Sequence, residues 1–303
     1  MSRNRTDGPV VPCSEARQAP NPVHSGSVWQ RLVDLTILVG EWILDRLDRL
    51  VARASLVGDP VFFDAADFEW THVLEAQWPT IRRELDTVLE RRHALPNFQD
   101  ISTDQATLTD DDRWKTYFLY GFGFRSESTC NQCPATARLV AAVPGMQTAM
   151  FSILAPGKHI PNHCGPYKGV IRYHLALKVP RQSARCRIRV ANIEATWTEG
   201  ESLMFDDTYE HEVWNDTDEE RVVLFLDVTR PLRFPMNVVN RVVLRAIAAS
   251  PFVQDAKRRH RAWELKFNRP AFNRPAVPSA RLVRPATAHG PGPDAASHSS
   301  SAE

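Results

Sequence analysis

Cysteine is scarce in this chain of 303 residues, and its five copies (Cys13, Cys130, Cys133, Cys164 and Cys186) are odd in number. That argues against the paired framework of a small secreted domain. Cys130 and Cys133 form one C-x-x-C, with no second pair to complete a four-thiolate zinc site, so they read as free thiols or one local disulfide. Net charge is equally lacking. The balance is 37 basic against 36 acidic residues, which leaves no concentrated basic face for nucleic acid. A long apolar run is missing too. The longest, near 36–44, is interrupted by Glu41 and flanked by Asp34 and Asp45, whereas a membrane span needs about 20 apolar residues. The opening M-S-R-N-R-T-D-G-P carries positive charge with no apolar stretch behind it, so no secretory signal is expected. The expected compartment is the cytoplasm, with peripheral membrane contact left open. There is no internal repeat.

Proline, by contrast, is plentiful at 22 copies, many of them in two tails. Residues 1–27 are rich in Pro, Ser, Asn and Arg without periodicity, which predicts a disordered tail. A C-terminal extension over 251–303 returns to Pro, Ala, Ser and His from about residue 268, and disorder is expected there as well. Between 28 and 56, Val28, Leu32, Leu35, Leu38, Trp42, Leu44, Leu47 and Val51 recur at helical spacing, with charges of both signs among them. This predicts an amphipathic helical segment packed on the domain, on a partner subunit or at a membrane surface.

Residues 57–250 form the expected main domain. Asp64–Arg92 reads as helical, with Pro79 at a helix start. Residues 93–113 read as a loop, Arg113–Phe124 as an aromatic-rich strand and Pro134–Val143 as a short helix. The period then changes to two. Candidate strands cover 147–154, 169–178, 186–192, 202–206, 211–215 and 221–229, divided by turn signals such as Pro156-Gly157 and Asn215-Asp216. Short strands at this spacing predict a sandwich or barrel, with its core over 147–231 and a helix over 236–249 beyond it.

Within that core, His163 opens H-C-G, His211 follows 48 residues later in Y-E-H-E-V-W, and Arg221 stands ten residues further on. A metal such as iron takes imidazole nitrogen and needs open positions for oxygen and an organic co-substrate. Two histidines on separate strands suit such a site. The planar fork of an arginine suits a carboxylate on the co-substrate. His163 and His211 are therefore the candidate metal ligands, and Arg221 the candidate carboxylate anchor. A lone histidine in a β-domain is more often structural; His163, His174, His211 and Arg221 together in register argue against that reading.

The strings P-N-H-C-G-P, R-Y-H-L-A-L, T-W-T-E-G-E-S-L-M-F-D-D and Y-E-H-E-V-W-N-D span about 150–231. They resemble the aspartyl/asparaginyl β-hydroxylase family of iron(II)- and 2-oxoglutarate-dependent dioxygenases, with a weaker likeness from about residue 110. The resemblance implies a mainly β fold with flanking helices, the double-stranded β-helix or jelly roll of cupin-like proteins. It implies Fe(II), 2-oxoglutarate and O2 as cofactors, ascorbate as an activator, and hydroxylation of a C–H bond. Carried over residue by residue, it implies that His163 and His211 bind iron and that Ser152 and Arg221 hold the distal carboxylate of 2-oxoglutarate. Arg172 and His174 would sit at its metal-proximal end or beside the substrate, Arg172 joining the histidines in the catalytic set. Trp114 is expected on the pocket wall. Gly165 stands where most relatives carry a metal-binding carboxylate, so water is expected in that ligand position.

The substrate is less defined. V-I-R-Y keeps one arginine, Arg172, where the family's vertebrate peptide hydroxylase has two. That single arginine and the D-V-T-R-P-L ending are closer to bacterial lipid A hydroxylases of the same superfamily. The first expectation is the β-carbon of an aspartyl or asparaginyl residue or a related amino-acid moiety. The second is the acyl chain of a membrane lipid, and the third a non-catalytic ligand-binding barrel. Asp206 and Asp207 read as structural residues bonding nearby amides. Cys164, Trp197 and Trp214 read as packing, and His159 as solvent-facing.

Overall fold

The computed structural model describes residues 3–5, 42–102 and 108–268. The remainder of the expected 1–27 tail, residues 28–41 and the end of the C-terminal extension lie outside the described residues. Among the described residues, two antiparallel sheets carry the fold. The larger has the order β2 (Phe62–Phe63), β10 (Ser202–Phe205), β7 (Val170–Lys178), β12 (Arg221–Thr229), β5 (Met146–Leu154), β3 (Trp114–Gly121) and β4 (Phe124–Arg125). The smaller runs β1 (Arg3–Arg5), β9 (Ile193–Thr196), β8 (Cys186–Val190), β11 (His211–Asn215) and β6 (Lys158–His163). From β5 to β12 the chain passes back and forth between the two sheets, with hairpin β8–β9 kept in the smaller, as in a jelly roll.

Strand periodicity decides which residues face what. On β12, Val222, Leu224, Leu226 and Val228 pack outward against helices Glu69–Ala76, Trp78–Leu89 and Pro134–Ala141. β7 sends Ile171, Tyr173, Leu175 and Leu177 the same way, and β5 sends Ala149, Phe151 and Ile153. The alternate residues of these strands turn inward, where Leu154, Ala176 and Val223 meet Ile160, Ile188, Val190 and Val213 of the smaller sheet. The larger sheet is thus covered on both faces, one by helices and one by the other sheet.

Several expected boundaries shift. The stretch over Asp64–Arg92 divides into Glu69–Ala76 and Trp78–Leu89, and Pro79 sits in the first turn of the second helix. The 93–113 loop contains a short helix, Phe98–Ile101, closed by an Asn97/Asp100 capping box. The strand expected over 186–192 is a hairpin, β8–β9, turning at Ala191, which has a φ of 52°. β6 was not expected. Its K-H-I-P-N-H has no clear alternation, and Pro161 is tolerated because β6 is an edge strand paired only with β11. Helix Pro251–Phe267 was also unforeseen; its K-R-R-H-R run masks a buried stripe of Val253, His260 and Phe267. Cys130 and Cys133 are buried free thiols, and burial pushes the Cys133 thiol up to about 12.

Under the turn after β10 lies a buried ionic cluster. Asp206 accepts from Lys168 Nζ at 2.7 Å and from Arg230, and Asp59 accepts from the same two cations at 2.9 and 2.8 Å. Asp206 also accepts from the Thr208 amide and hydroxyl, so its expected structural role holds. Removing one partner leaves uncompensated charge behind. Asp206→Ala is therefore expected to lower the unfolding free energy by about 3–5 kcal/mol, read from the midpoint of urea denaturation.

Candidate metal and co-substrate site

One pocket of about 120 Å³ inside the barrel collects Trp114, Ser152, His163, Arg172, His174, His211 and Arg221. These are all seven residues singled out from the sequence. Ser152, Arg172, His174 and Arg221 have the inward parity of β5, β7 and β12; His163 and His211 come from the opposite sheet.

His163 ends β6 and His211 begins β11, and the two are directly paired across the strands. Their ring centroids lie 4.0 Å apart. His163 Nδ1 contacts the Pro161 carbonyl at 2.8 Å, and His211 Nδ1 the Tyr209 carbonyl at 3.0 Å. A carbonyl only accepts, so each Nδ1 carries the proton and each Nε2 keeps its lone pair. Burial favours that neutral form. It pushes His163 down to about 4 and holds His211 well below its ordinary value, the proximity of His163 adding to the effect on His211. Phe205 packs edge-on against His211 at 5.6 Å and against His174 at 5.3 Å. The donor set suits a divalent transition metal, since two neutral imidazoles present bare nitrogen side by side. Among the described residues, no third His, Cys, Asp or Glu joins them in a metal-binding group.

Gly165 explains part of this and corrects one expectation. A Cβ built at Gly165 would meet Asp207 Oδ2 at 2.1 Å and Oδ1 at 2.5 Å. The space left by the missing side chain is filled by the carboxylate of Asp207. Asp207 is therefore not the amide-bonding turn residue expected from F-D-D. Its Oδ2 pairs with Arg172 Nη2 at 2.8 Å, and its buried Oδ1 has no hydrogen-bond partner. Burial raises its carboxyl to about 6, against the pull of Arg172. Arg172 also donates to Asp227 Oδ1 at 3.2 Å and lies 4.5 Å from the Phe225 ring centroid. One guanidinium thus serves two carboxylates.

Arg221 is the opposite case. It is 2% exposed, and its Nε and Nη1 have no hydrogen-bond partner. The Trp197 ring lies 4.5 Å from its guanidinium carbon, and the neutral Cys186 thiol is its other neighbour. Burial lowers its proton affinity, with no carboxylate to offset the effect. Ser152 sits near the same end of the pocket, its hydroxyl accepting from Trp114 Nε1 at 3.1 Å. His174 is buried with neither ring nitrogen bonded, and burial and the nearby guanidinium of Arg221 keep it neutral. Orphaned donors gathered in one place mark where a polar ligand belongs.

A second chamber, about 330 Å³ and strongly apolar, adjoins the first. Phe98, Pro166, Arg172, Asp207 and Phe225 line both. Beyond them its walls are Phe118, Phe122, Phe124, Met150, Leu244 and Phe252, with Leu44 and Ile247. Sequence patterning did not reveal this chamber, because its walls come from segments more than 200 residues apart. Among the other residues weighed from sequence, His159 is solvent-facing as expected, stacked on Trp214 and bonded to Glu212 at 2.6 Å. Trp197 is buried, whereas Trp214 lies on the outer face of the smaller sheet beneath Arg187 rather than in the core.

The model of a family described as Aspartyl/Asparaginyl beta-hydroxylase matches residues 75–231. A Rhizobium tropici protein named ornithine lipid ester-linked acyl 2-hydroxylase is 49% identical over 220 residues, covering 73% of this chain and 78% of the relative. The human aspartyl/asparaginyl beta-hydroxylase is 34% identical over 163 residues, covering 52% of this chain and 21% of that protein. Among solved structures, a prolyl-4-hydroxylase from Pseudomonas putida matches with a TM-score of 0.35 and 19% identity, over 51% of this chain and 88% of the other.

Two outcomes follow from the packing. Gly165→Ala drives a methyl group into the Asp207 carboxylate and should cost about 1–3 kcal/mol of stability. Combined with Asp207→Ala it should cost less than the two single losses added together, as a double-mutant cycle in urea would measure. Arg221→Met removes a buried, unpaired charge and should stabilise the ligand-free protein by about 1–4 kcal/mol, read in the same denaturation assay.

Proposed function

The chain belongs to the aspartyl/asparaginyl β-hydroxylase family, and from that premise we propose that it is an iron(II)- and 2-oxoglutarate-dependent hydroxylase acting on the acyl chain of a lipid. The observation that carries this reading is the junction of two unlike spaces. The polar pocket offers two bare imidazole nitrogens and an unpaired guanidinium. The chamber beside it is apolar over most of its wall, its charged residues being Arg172, Asp207 and Asp227, which pair with one another, and its other polar groups the Ser102, Thr148 and Tyr167 hydroxyls.

His163 and His211 would hold iron through Nε2, and the bound metal would supply the oxygen activation that protein side chains lack. Arg221 and Ser152 would take the far carboxylate of 2-oxoglutarate. The guanidinium gains the counter-charge it has none of, and Trp114 holds the Ser152 hydroxyl in place. His174 and Arg172 would flank the metal-proximal end. Asp207 would fix Arg172 through Oδ2, its Oδ1 remaining buried in the pocket wall. Phe98, Phe205 and Phe225 keep water from the reacting centre.

The acyl chain would lie in the apolar chamber, with its target carbon brought to the metal between Phe98 and Phe225. The Rhizobium tropici relative is named for 2-hydroxylation of an ester-linked acyl chain in ornithine lipid, and the chamber suits the same substrate class. The walls contributed by Leu44, Leu244, Ile247 and Phe252 lie outside residues 75–231, so the family segment carries the shared chemistry and the flanking helices add the apolar lining. An aspartyl or asparaginyl side chain, the first expectation from sequence, has weaker support. Arg172 is already held by Asp207 and Asp227, so among the described residues no free cation lines the chamber to receive an acidic group.

The test is succinate formation by protein supplied with Fe(II), ascorbate, oxygen and 2-oxoglutarate. Arms contain an aminolipid with an ester-linked acyl chain, an acidic peptide, or no substrate. The lipid should stimulate turnover by roughly tenfold or more and gain one oxygen by mass, and His211→Ala should abolish both. Stimulation by the peptide instead would return the reading to the amino-acid side chain. 2-Oxoglutarate should also raise the melting temperature of the iron-loaded protein but not of Arg221→Met. Absence of both turnover and stabilisation would leave a non-catalytic barrel.

A further inference from the structure

The apolar chamber is roofed by two helices that neighbour each other in space and not in sequence. Residues 42–54 form the first. It ends at Ser55, which bridges Leu232 in antiparallel fashion. The Leu56 amide donates to the Pro231 carbonyl and the Arg233 amide to the Ala54 carbonyl, both at 2.9 Å. Met236–Ala249, the second helix, starts just beyond this junction. From it both helices reach the chamber: Leu44 lies about three turns back along the first, and Leu244 and Ile247 toward the far end of the second. Their inner sides, with Leu47 and Val51, close over Tyr167 and Val170.

Their outer sides are also apolar. Phe234 is 81% exposed, Trp42 59% and Val242 58%, and Leu50, Leu56 and Val238 are exposed as well. Single exposed apolar residues need no explanation, but Trp42, Leu50, Val238 and Val242 on this pair of helices, with Leu56 and Phe234 at their junction, do. Phe252 is exposed and also lines the chamber, so the chamber reaches the surface beside this face. Charge there has one dominant sign. Arg46, Arg49, Arg53, Arg233, Arg241 and Arg245 are all exposed, and 233–249 contains no acidic residue. Exposed apolar side chains among arginines match the outer layer of an anionic bilayer, where the former enter the acyl boundary and the latter meet headgroup phosphates.

We propose that the outer face of helices 42–54 and 236–249 docks on an anionic membrane and delivers an acyl chain from the bilayer directly into the chamber. The proposal rests on the acyl-chain reading for its purpose, and its test scores docking separately. Full-length protein and the Val238→Glu/Val242→Glu double variant are sedimented with vesicles of phosphatidylcholine alone and of phosphatidylcholine and phosphatidylglycerol in equal parts. Neither valine lines either chamber, so stabilisation by 2-oxoglutarate and turnover of a detergent-dispersed short-chain lipid should be unchanged. Binding of the wild type to the phosphatidylglycerol vesicles should be salt-sensitive and roughly tenfold weaker in the double variant. Absence of vesicle binding by the wild type, or equal binding by both proteins, would overturn the proposal. So would conversion of a dimer to a monomer by the double variant with vesicle binding intact, which would make the face a contact between copies of the chain. Loss of 2-oxoglutarate stabilisation in the wild type would count against the oxygenase reading, whatever the vesicles show.

Discussion

A guanidinium buried without a carboxylate costs several kcal/mol, and the barrel is arranged around one. Arg221 points inward from β12 into a space closed by Trp197, with two of its nitrogens unbonded. The fold does not lack carboxylates to relieve it. Asp207 and Asp227 stand in the same barrel, yet both are committed to Arg172, and Asp59 and Asp206 are committed to Lys168 and Arg230. Arg172, Lys168 and Arg230 are thus each paired with carboxylates, whereas no ion pair is formed by Arg221 among the described residues. An uncompensated guanidinium of this kind lowers the stability of the folded chain.

Strand parity turns that electrostatic arrangement into geometry. On β5, β7 and β12 the residues that fill the helix-side core alternate with those that face the barrel. Every apolar pair that anchors the sheet therefore also aims a polar neighbour inward. Leu175 and Tyr173 fix His174, and Val222 positions Arg221. A one-residue slip would bury the wrong set on each face. The histidines depend on a different constraint. They meet because β6 and β11 end in register, and each ring is fixed by the carbonyl two residues before it.

Much of this was legible from the sequence because it is local. The period of two in V-I-R-Y-H-L-A-L and R-V-V-L-F-L-D-V marks the central strands, and the histidine and arginine spacing marks the pocket. Asp207 was misread because F-D-D before a turn has the same appearance whether its carboxylate bonds a local amide or crosses to Arg172. Only the overlap with Gly165 distinguishes the two. β6 was missed because an edge strand needs only one partner and tolerates Pro161. The apolar chamber was invisible because no sequence window contains both Leu44 and Phe252. Helix Pro251–Phe267 was hidden by surface charges that outnumber its buried stripe.

The junction between Ser55 and Leu232 has a consequence for how the protein is made. The first helix of the roof leaves the ribosome long before the strand end it bonds to, and the second roof helix follows later still. Domains form during synthesis from the N-terminus onward, so the barrel between these helices can close while the first still lacks its partner. During that interval its apolar inner side, with Leu47 and Val51, can meet Tyr167 and Val170 but still lacks Leu232 and Leu244. The chamber is then the last part of the molecule to be assembled, and the interval before it closes is when the nascent chain most needs protection from aggregation.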